Sequence, residues 1–277
     1  QLLARDKSLR LSFVDLKEAG QIDLDHLETL LKIPSKKTLV SLMHANNEIG
    51  NLIDLEKIGS LAHQYEALFH TDTVQTMGHI ELDLSVLPVD FLVGSAHKFN
   101  GPKGVGFLYI NYRHKINPLI NGGAQERNMR GGTENVYGIV GLAKALEIAY
   151  EDLQNQKEQI LMLKKYMIDE LIKNIPGVQF NGQCADLDHS LYTVLNVCLP
   201  PTSQNEMLLF NLDISGISAS GGSACSSGSN IGSHVLAELN RDANRGAVRF
   251  SFGKYNTLEE VAYAVEILSK LIPSKKN

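Results

Sequence analysis

The feature that most constrains the fold is a series of four short apolar runs within the first 111 residues. The first two runs are separated by LEKIGSLAHQY (55–65), in which apolar residues recur with the spacing of a helix. Buried strands of a parallel sheet have this continuous apolar character. The pattern predicts a βαβ unit followed by two further strands, and therefore an α/β fold. The four predicted strands are at 38–44, 67–73, 89–95 and 105–111.

The second half of the chain has a different pattern. A long helical pattern runs from Glu134 to about Lys173 and is followed by the stop sequence NIPG. Beyond it, candidate strands and helices indicate a smaller α+β unit. The candidate strands are at 190–199, 216–220 and 247–253, and the candidate helices are at 204–212 and 257–272. We therefore predict a large domain over 1–153 and a small C-terminal domain over 154–277.

The charge and the cysteines argue against several classes of protein. A formal net charge of −5 provides no basic field for nucleic acid or for an anionic membrane. No apolar run has the length of a membrane-spanning helix, and the first residues lack the pattern of a signal peptide. Cys184, Cys198 and Cys225 are odd in number and contain no CxxC pair, which argues against a disulfide framework and a structural zinc site. We expect a cytoplasmic protein that acts on small molecules and has no metal, membrane or nucleic-acid partner.

Polar residues follow three of the predicted strands. Asn46 and Asn47 follow TLVSLMH (38–44), Asp72 and Gln75 follow ALFH (67–70), and Ser95, His97 and Lys98 follow VDFLVG (89–94). Active sites of open α/β sheets lie beyond the carboxyl ends of the strands, so these residues are predicted to meet in one crevice. A Schiff-base cofactor requires a lysine, a carboxylate for its ring nitrogen, and donors for its phosphate and ring oxygen. Helix caps and turn residues are the alternative interpretation of the same set.

Six ordered motifs resemble those of class-V enzymes that use pyridoxal 5'-phosphate (PLP), and of cysteine desulfurases of the NifS/IscS type in particular. They are HANNEIG (44–50), HTDTVQTMG (70–78), SAHKFNGPKGVG (95–106), RGGTENV (130–136), SGGSACSSGS (220–229) and VRFSFG (248–253). The resemblance implies a fold type I PLP-dependent transferase. Its large domain would have a mostly parallel sheet, incomplete at its N-terminus, and its smaller C-terminal domain would be α+β.

The resemblance also assigns roles around the cofactor. Lys98 would form the covalent link to PLP, and Asp72 would pair with the ring nitrogen. The side chains that approach the ring hydroxyl would be those of Gln75 and Asn47. The phosphate would be bound by Ser95 and His97, and His97 is also a neighbour for proton transfer.

Two further residues would complete the cofactor and substrate sites. The family's pattern implies that Thr133 reaches the phosphate of the neighbouring subunit's cofactor, so we expect a homodimer with shared sites. A helix-capping role for Thr133 is compatible with this. Arg249 would hold the substrate carboxylate, because a planar guanidinium can bind it through two hydrogen bonds. A strand arginine paired with Asp or Glu is the alternative.

Cys225 is the implied nucleophile. It lies among Gly and Ser residues and is predicted on an exposed, mobile loop, whereas Cys198 is predicted to be buried and Cys184 to have no partner. With Lys98 moving the Cα proton, the thiol would attack the sulfur of L-cysteine. The products would be L-alanine and a Cys225 persulfide, whose sulfur would pass to an acceptor such as an iron–sulfur scaffold or a thiolation pathway.

The family's pattern also includes a segment before the position of Gln1. That segment would supply the first strands and helices, a phosphate-binding threonine and a histidine stacked on the cofactor ring, and no such motif occurs before Asn46. One alternative is therefore a desulfurase-like fragment without bound PLP. Another is a different class-V aminotransferase or lyase, and selenocysteine lyase activity would use the same residues.

Overall fold

The computed structural model describes residues 9–202, 205–221, 233–239, 242 and 244–272. Within these ranges the first sheet has the strand order β1-β2-β3-β4. Its strands are β1 (Leu39–Met43), β2 (Leu68–Asp72), β3 (Phe91–Ser95) and β4 (Gly106–Ile110). β1, β2 and β3 are parallel to one another, and β4 is antiparallel to β3. The predicted α/β class with a mostly parallel sheet is confirmed.

The predicted βαβ unit is present, because α2 (Leu55–Gln64) connects β1 to the parallel β2. Asp54 begins this helix by accepting a hydrogen bond from the Lys57 amide. A methyl group at Gly59 would lie 2.3 Å from the Pro88 carbonyl oxygen, so glycine allows α2 to approach the segment before β3. The sequence did not predict the preceding helix, α1 (Leu24–Leu31).

Asp90, at the start of β3, joins several elements through one buried carboxylate. It accepts hydrogen bonds from the Phe69 amide (2.8 Å), from His63 Nε2 on α2 (2.9 Å) and from His114 Nε2 beyond β4. Burial opposes ionisation of this carboxyl group, but the three hydrogen bonds outweigh it and lower its pKa. The network joins α2 and the residues that follow β4 to the start of β3. This is the end of the sheet opposite to the carboxyl ends of its parallel strands.

Replacing Asp90 with asparagine is expected to lower the free energy of unfolding by about 2–4 kcal/mol, because one of the donors facing it would lose its acceptor. Denaturant unfolding at neutral pH measures this. The control is Asp83→Asn, since the Asp83 carboxylate is exposed and its hydrogen bonds in the described part of the chain come from Ser85 in its own turn. Equal losses in the two variants would contradict the role assigned to Asp90.

The second sheet is antiparallel throughout the described residues, with the order β5-β6-β7. Its strands are β5 (Gln179–Phe180), β6 (Val194–Cys198) and β7 (Ala247–Ser251). The region 216–220 is not the strand that its sequence predicted, because only Ser220 bridges β7. The other helices are α3 (Gln125–Asn128), α4 (Val136–Glu151), α5 (Leu153–Asn174), α6 (Leu208–Ile214), α7 (His234–Glu238) and α8 (Leu258–Leu271).

The single long helical pattern forms two helices, since the chain leaves helical geometry at Asp152 between α4 and α5.

Each sheet has its own cluster of buried apolar residues. One cluster includes Leu27, Phe69 and Leu92 around the first sheet, and the other joins α5 and α8 to the second sheet. None of the helices in the described ranges is long and apolar enough to cross a membrane.

The two cysteines within the described residues are both buried, and neither forms a disulfide there. Burial of Cys198 confirms its prediction. Cys184 is buried as well, and its sulfur accepts a hydrogen bond from the Asn196 amide at 3.2 Å. Burial raises the pKa of Cys184 to about 11, so this thiol is not poised as a nucleophile.

Candidate active site

The carboxyl ends of β1, β2 and β3 lie at one edge of the first sheet. Met43 is in register with Asp72, and Asp72 with Val93, two residues before Ser95. The His44 amide donates to the Asp72 carbonyl at 2.9 Å, which extends the pairing beyond the end of β1. The ends of the three strands that carry these polar residues therefore lie side by side, as the sequence predicted.

Lys98 lies on a short 3-10 turn, Ala96–Phe99, directly after β3. The turn ends at Asn100, whose φ of 63° reverses the backbone. Lys98 and His97 are exposed, and His97 Nδ1 lies 2.9 Å from Ser95 Oγ. Within the described residues, no hydrogen bond or ion pair occupies the Lys98 ammonium, so this amine is available for chemistry.

His79 supports the turn that carries Lys98. Its Nε2 donates to the Lys98 carbonyl at 3.2 Å, and the Tyr192 hydroxyl donates to the His79 carbonyl at 3.0 Å. Burial lowers the pKa of His79, which favours the neutral ring. Gly78 has a φ of +78°, and a methyl group there would lie 2.7 Å from Phe99 Cβ, so this close approach requires glycine. Sequence reasoning missed His79 and Tyr192, although HTDTVQTMG does end directly before His79.

Asp72 is the last residue of β2, Gln75 follows three residues later, and both are half-buried. Asp72 Oδ1 accepts a hydrogen bond from the Val74 amide at 2.9 Å, as in the alternative turn-forming role. Its second carboxylate oxygen has no hydrogen-bond partner among the described residues. The turn role therefore leaves one oxygen of Asp72 for a ligand.

Arg249 on β7 reaches the turn after β1. Its Nη1 donates to the Asn47 carbonyl at 2.8 Å, and its Nη2 donates to Ser220 Oγ at 3.0 Å. Asn46 holds the same turn, because its Oδ1 accepts from the amides of Glu48 and Ile49. The second sheet thus contributes a half-buried guanidinium beside Asn47, and both of these hydrogen bonds go to neutral acceptors.

Thr133 lies exposed before α4. It does not cap that helix, as the alternative reading supposed, because the cap is Asn135, whose Oδ1 accepts from the Gly138 amide. The Gly131 amide donates to the Ile120 carbonyl at 2.8 Å, which holds the loop that carries Thr133. Large apolar side chains are exposed near Thr133 in the chain: Leu119, Val136, Tyr137 and Val140.

Cys225 lies outside the described residues. The described chain stops at Gly221 and resumes at Ser233, the residue that caps α7. A methyl group at Gly221 would lie 2.6 Å from Leu209 Cδ1 on α6. The structure therefore fixes where the segment that contains Cys225 leaves and rejoins the described fold.

His44 is a buried histidine that sequence reasoning did not assign. Its Nδ1 lies 2.8 Å from Thr76 Oγ1, and burial lowers its pKa to about 4. It follows the last residue of β1 and opens the motif HANNEIG, which was the only sequence signal for it.

Stability is expected to fall as the pH is lowered from about 6.5 to about 4, because the unfolded chain binds a proton at His44 that the folded state excludes. A shift of this size corresponds to roughly 3 kcal/mol between those limits. Denaturant unfolding at several pH values measures it. In His44→Gln this part of the pH dependence should disappear, and an unchanged slope in that variant would contradict the assignment.

Comparison with known proteins places the chain in a family. The family model described as "Aminotransferase class-V" matches residues 1–263. The chain belongs to the class-V aminotransferase family. The motif resemblance stated above is thereby confirmed at the level of the family.

Similar members of the class-V family define the subgroup. The "Cysteine desulfurase IscS" of Dictyoglomus turgidum is 41% identical over 264 residues, which are 95% of this chain and 66% of the relative. The protein of the same name from Clostridium botulinum (strain Hall) is 39% identical over 272 residues, 98% of this chain and 68% of the relative. A solved structure described as "NIFS-LIKE PROTEIN" has a TM-score of 0.84 at 36% identity, over 96% of this chain and 68% of that chain.

The chain spans about two thirds of the length of these relatives. Their names confirm its assignment to the cysteine desulfurases of the NifS/IscS type. They favour that reading over the other class-V aminotransferases and lyases considered from the sequence.

Proposed function

We propose that the protein is a PLP-dependent cysteine desulfurase that converts L-cysteine to L-alanine and leaves the sulfur on Cys225 as a persulfide. The observation that carries the proposal is the convergence of three parallel strand ends, which brings the free Lys98 amine, Asp72 and the Ser95–His97 pair to one edge. The names of the relatives support the same activity.

The residues at this edge fit PLP in their chemistry. Lys98 offers an exposed amine, and Asp72 offers a carboxylate oxygen that accepts no hydrogen bond from the described residues. For the phosphate, Ser95 and His97 offer a hydroxyl and a ring nitrogen, and Gln75 and Asn47 offer amides for the ring hydroxyl. When bound, PLP supplies a protonated ring that withdraws the electron pair left at Cα.

The proposed roles of the protein groups follow from these positions. Lys98 takes the Cα proton of L-cysteine and returns a proton, and Arg249 binds the substrate carboxylate beside Asn47. The Cys225 thiolate attacks the substrate sulfur, so that one C–S bond breaks and one S–S bond forms. The methyl group of L-alanine receives the proton that balances the reaction, and His97 is a neighbouring group for proton transfer.

We propose further that the protein acts as a homodimer in which Thr133 binds the phosphate of the partner's cofactor. The exposed apolar side chains Val136 and Tyr137, close to Thr133 in the chain, support an interface there. The separate buried clusters of the two sheets support a division into domains at 153/154.

The cellular location of the protein and the acceptor of its sulfur are also proposals. Two buried cysteines that form no disulfide within the described residues support a cytoplasmic location. A persulfide must be discharged before the next turnover, which supports a sulfur acceptor such as an iron–sulfur scaffold or a thiolation protein.

The experiment that tests the proposed function is a product assay with purified protein, PLP and a reductant. We expect equal amounts of L-alanine and sulfide from L-cysteine, together with a yellow protein-bound cofactor band. L-Selenocysteine, assayed in parallel, identifies a selenocysteine lyase if it alone reacts. A yellow protein without products from either substrate would indicate another class-V activity, and a colourless protein would indicate a fragment that does not bind PLP.

Replacing Arg249 with lysine is expected to raise KM for L-cysteine about 10- to 100-fold, because a point charge replaces a planar donor pair. Steady-state kinetics of sulfide release measures this. The matched control is Arg113→Lys, since Arg113 lies at the surface beyond β4 and contacts the ring of Tyr112. An unchanged KM in Arg249→Lys would contradict a substrate-binding role.

A further inference from the structure

A series of hydrogen bonds connects Tyr192, two residues before β6, to the turn that carries Lys98. The Tyr192 hydroxyl donates to the His79 carbonyl at 3.0 Å and lies 3.3 Å from His79 Nδ1. His79 Nε2 in turn donates to the Lys98 carbonyl at 3.2 Å. The two rings meet edge to face, with centroids 5.8 Å apart and an interplanar angle of 85°. A side chain beside the second sheet therefore reaches the backbone of Lys98 through one histidine.

These hydrogen bonds fix the protonation of the His79 ring. A carbonyl oxygen can only accept, so Nε2 carries the proton that is donated to Lys98. Burial lowers the pKa of His79, which favours the neutral ring, and Nδ1 is then an acceptor that faces the Tyr192 hydroxyl. Burial raises the pKa of Tyr192 to about 12, so its hydroxyl keeps its proton at neutral pH. Every group in the series thus has one defined role as donor or acceptor.

Tyr192 is itself held firmly in place. Its side chain is 3% exposed. The amide of the preceding residue, Leu191, donates to the Gly50 carbonyl in the turn after β1 at 2.8 Å. The Leu191 carbonyl accepts a hydrogen bond from Lys164 Nζ on α5 at 3.0 Å. The segment that carries Tyr192 is therefore attached both to the first sheet and to α5.

The backbone around His79 has supports that do not involve its ring. The Tyr150 hydroxyl on α4 donates to the Ile80 carbonyl at 3.2 Å, and the His79 amide donates to the Thr76 carbonyl at 2.9 Å. A buried polar ring costs free energy unless it is hydrogen-bonded. The ring is not needed to hold its own segment, and its nitrogens face Lys98 and Tyr192 instead. Its placement is explained by support of the Lys98 turn.

We propose that Tyr192 and His79 are positioning residues for Lys98, which fix the backbone from which its amine reaches the cofactor. The inference rests on the proposed function, because it takes Lys98 as the residue that links PLP. An amine that forms this link and moves a proton depends on placement, and a shift of about 1 Å costs up to about 100-fold in rate. Both residues act through the Lys98 carbonyl, so neither is a catalytic residue.

The first test needs no cofactor and follows hydrogen exchange in the Lys98 turn by mass spectrometry. The Asn100 amide donates to the Ala96 carbonyl and reports opening of this turn. His79→Ala and Tyr192→Phe should each speed its exchange by about 2- to 10-fold, the range for loss of one hydrogen bond. The double variant should exceed the faster single variant by less than about twofold, because His79 transmits the effect of Tyr192. Multiplied effects in the double variant, or unchanged exchange in both single variants, would overturn the inference.

The second test follows the yellow band after PLP is added, which reports on the Lys98 amine independently of turnover. In His79→Ala the rate of band formation should fall about 10- to 100-fold. Tyr192→Phe should show a smaller loss, of about 2- to 10-fold. His79→Gln, whose side-chain amide keeps a donor for the Lys98 carbonyl, should recover most of the rate.

Steady-state kinetics of the same variants separates positioning of the amine from substrate binding. In His79→Ala, kcat for L-cysteine should fall in parallel with the rate of band formation. KM should stay within about twofold of wild type, because the Lys98 turn is not proposed to hold the substrate carboxylate. A raised KM with unchanged kcat would overturn the positioning role.

The matched control is Tyr150→Phe, which also removes a tyrosine hydroxyl bonded to the backbone of residues 78–80, but at Ile80 rather than His79. Its rate of band formation should stay within about twofold of wild type. Equal slowing in Tyr150→Phe and Tyr192→Phe would overturn the specific connection through His79, and so would a wild-type rate in His79→Ala.

The outcomes also distinguish the inference from the proposed function. A wild-type protein that forms the yellow band but releases neither alanine nor sulfide would refute the desulfurase activity. The positioning role would stand in that case if the variants slow band formation as expected. A colourless wild-type protein would overturn both, because Lys98 would then link no cofactor.

Discussion

Lys98→Ala is expected to lose the covalently bound cofactor band and to reduce sulfide release by about 1,000-fold or more. The variant removes both the amine that links the cofactor and the base that moves the Cα proton, and a positioned base alone contributes about 100- to 10,000-fold. The fold should be intact, because the Lys98 side chain is exposed and no hydrogen bond or ion pair of its ammonium occurs within the described residues. The visible spectrum and the sulfide assay measure the two effects.

The control for Lys98 is Lys103→Ala. Lys103 is an exposed lysine in a turn of the same motif, and it has no proposed role. It should keep both the band and the activity. A Lys98→Ala protein with an unchanged cofactor band would contradict the assignment of Lys98.

Cys225→Ser is expected to keep the cofactor band while sulfide release falls by about 100-fold or more, because a serine hydroxyl is a far weaker nucleophile than a thiolate. The two effects separate because Cys225 has no proposed contact with the cofactor. Spectra recorded before and after addition of L-cysteine, together with sulfide and alanine assays, measure them.

The control for Cys225 is Cys198→Ser. The Cys198 thiol is buried and its sulfur accepts a hydrogen bond from Arg245 Nε at 3.1 Å, so a hydroxyl can take over that contact. This variant should retain sulfide release. Full sulfide release from Cys225→Ser, or its loss from Cys198→Ser alone, would reject Cys225 as the nucleophile.

The strands of the first sheet were predictable because each lies in a short, continuous apolar run, although Leu39 and Met43 of β1 are exposed in the structure. The run 38–44, for example, contains β1 (Leu39–Met43) and extends one residue beyond it at each end. The site edge was predictable for a related reason, since parallel strands end at the same side of a sheet and the polar residues follow those ends.

Features that depend on distant contacts could not be read from local patterns. Helical spacing continues on both sides of Asp152, so it does not reveal the break between α4 and α5. The same spacing cannot show that Lys164 on α5 is fully buried, where Ser190 Oγ and the Leu191 carbonyl accept its hydrogen bonds and burial lowers its pKa to about 8. The strand predicted at 216–220 is wrong because only Ser220 finds a partner on β7.

The residues that connect the two sheets were missed for the same reason. Glu48 stands inside a recognised motif, yet its side-chain partner Ser233 is 185 residues away and carries no signal of its own. Tyr192 lies in an apolar strand pattern and gives no indication that it supports His79. Sequence reasoning predicted the groups that would carry the chemistry, whereas the side chains that support their turns became visible only in the structure.

The most direct measurement of the central claim is a single turnover of the PLP-loaded protein with L-cysteine in the absence of reductant, followed by peptide mass mapping and quantification of alanine. We predict one additional sulfur atom on the peptide that contains Cys225, in the same molar amount as the L-alanine formed. Alanine without protein-bound sulfur, or sulfur on the peptides of Cys184 or Cys198 instead, would contradict the account.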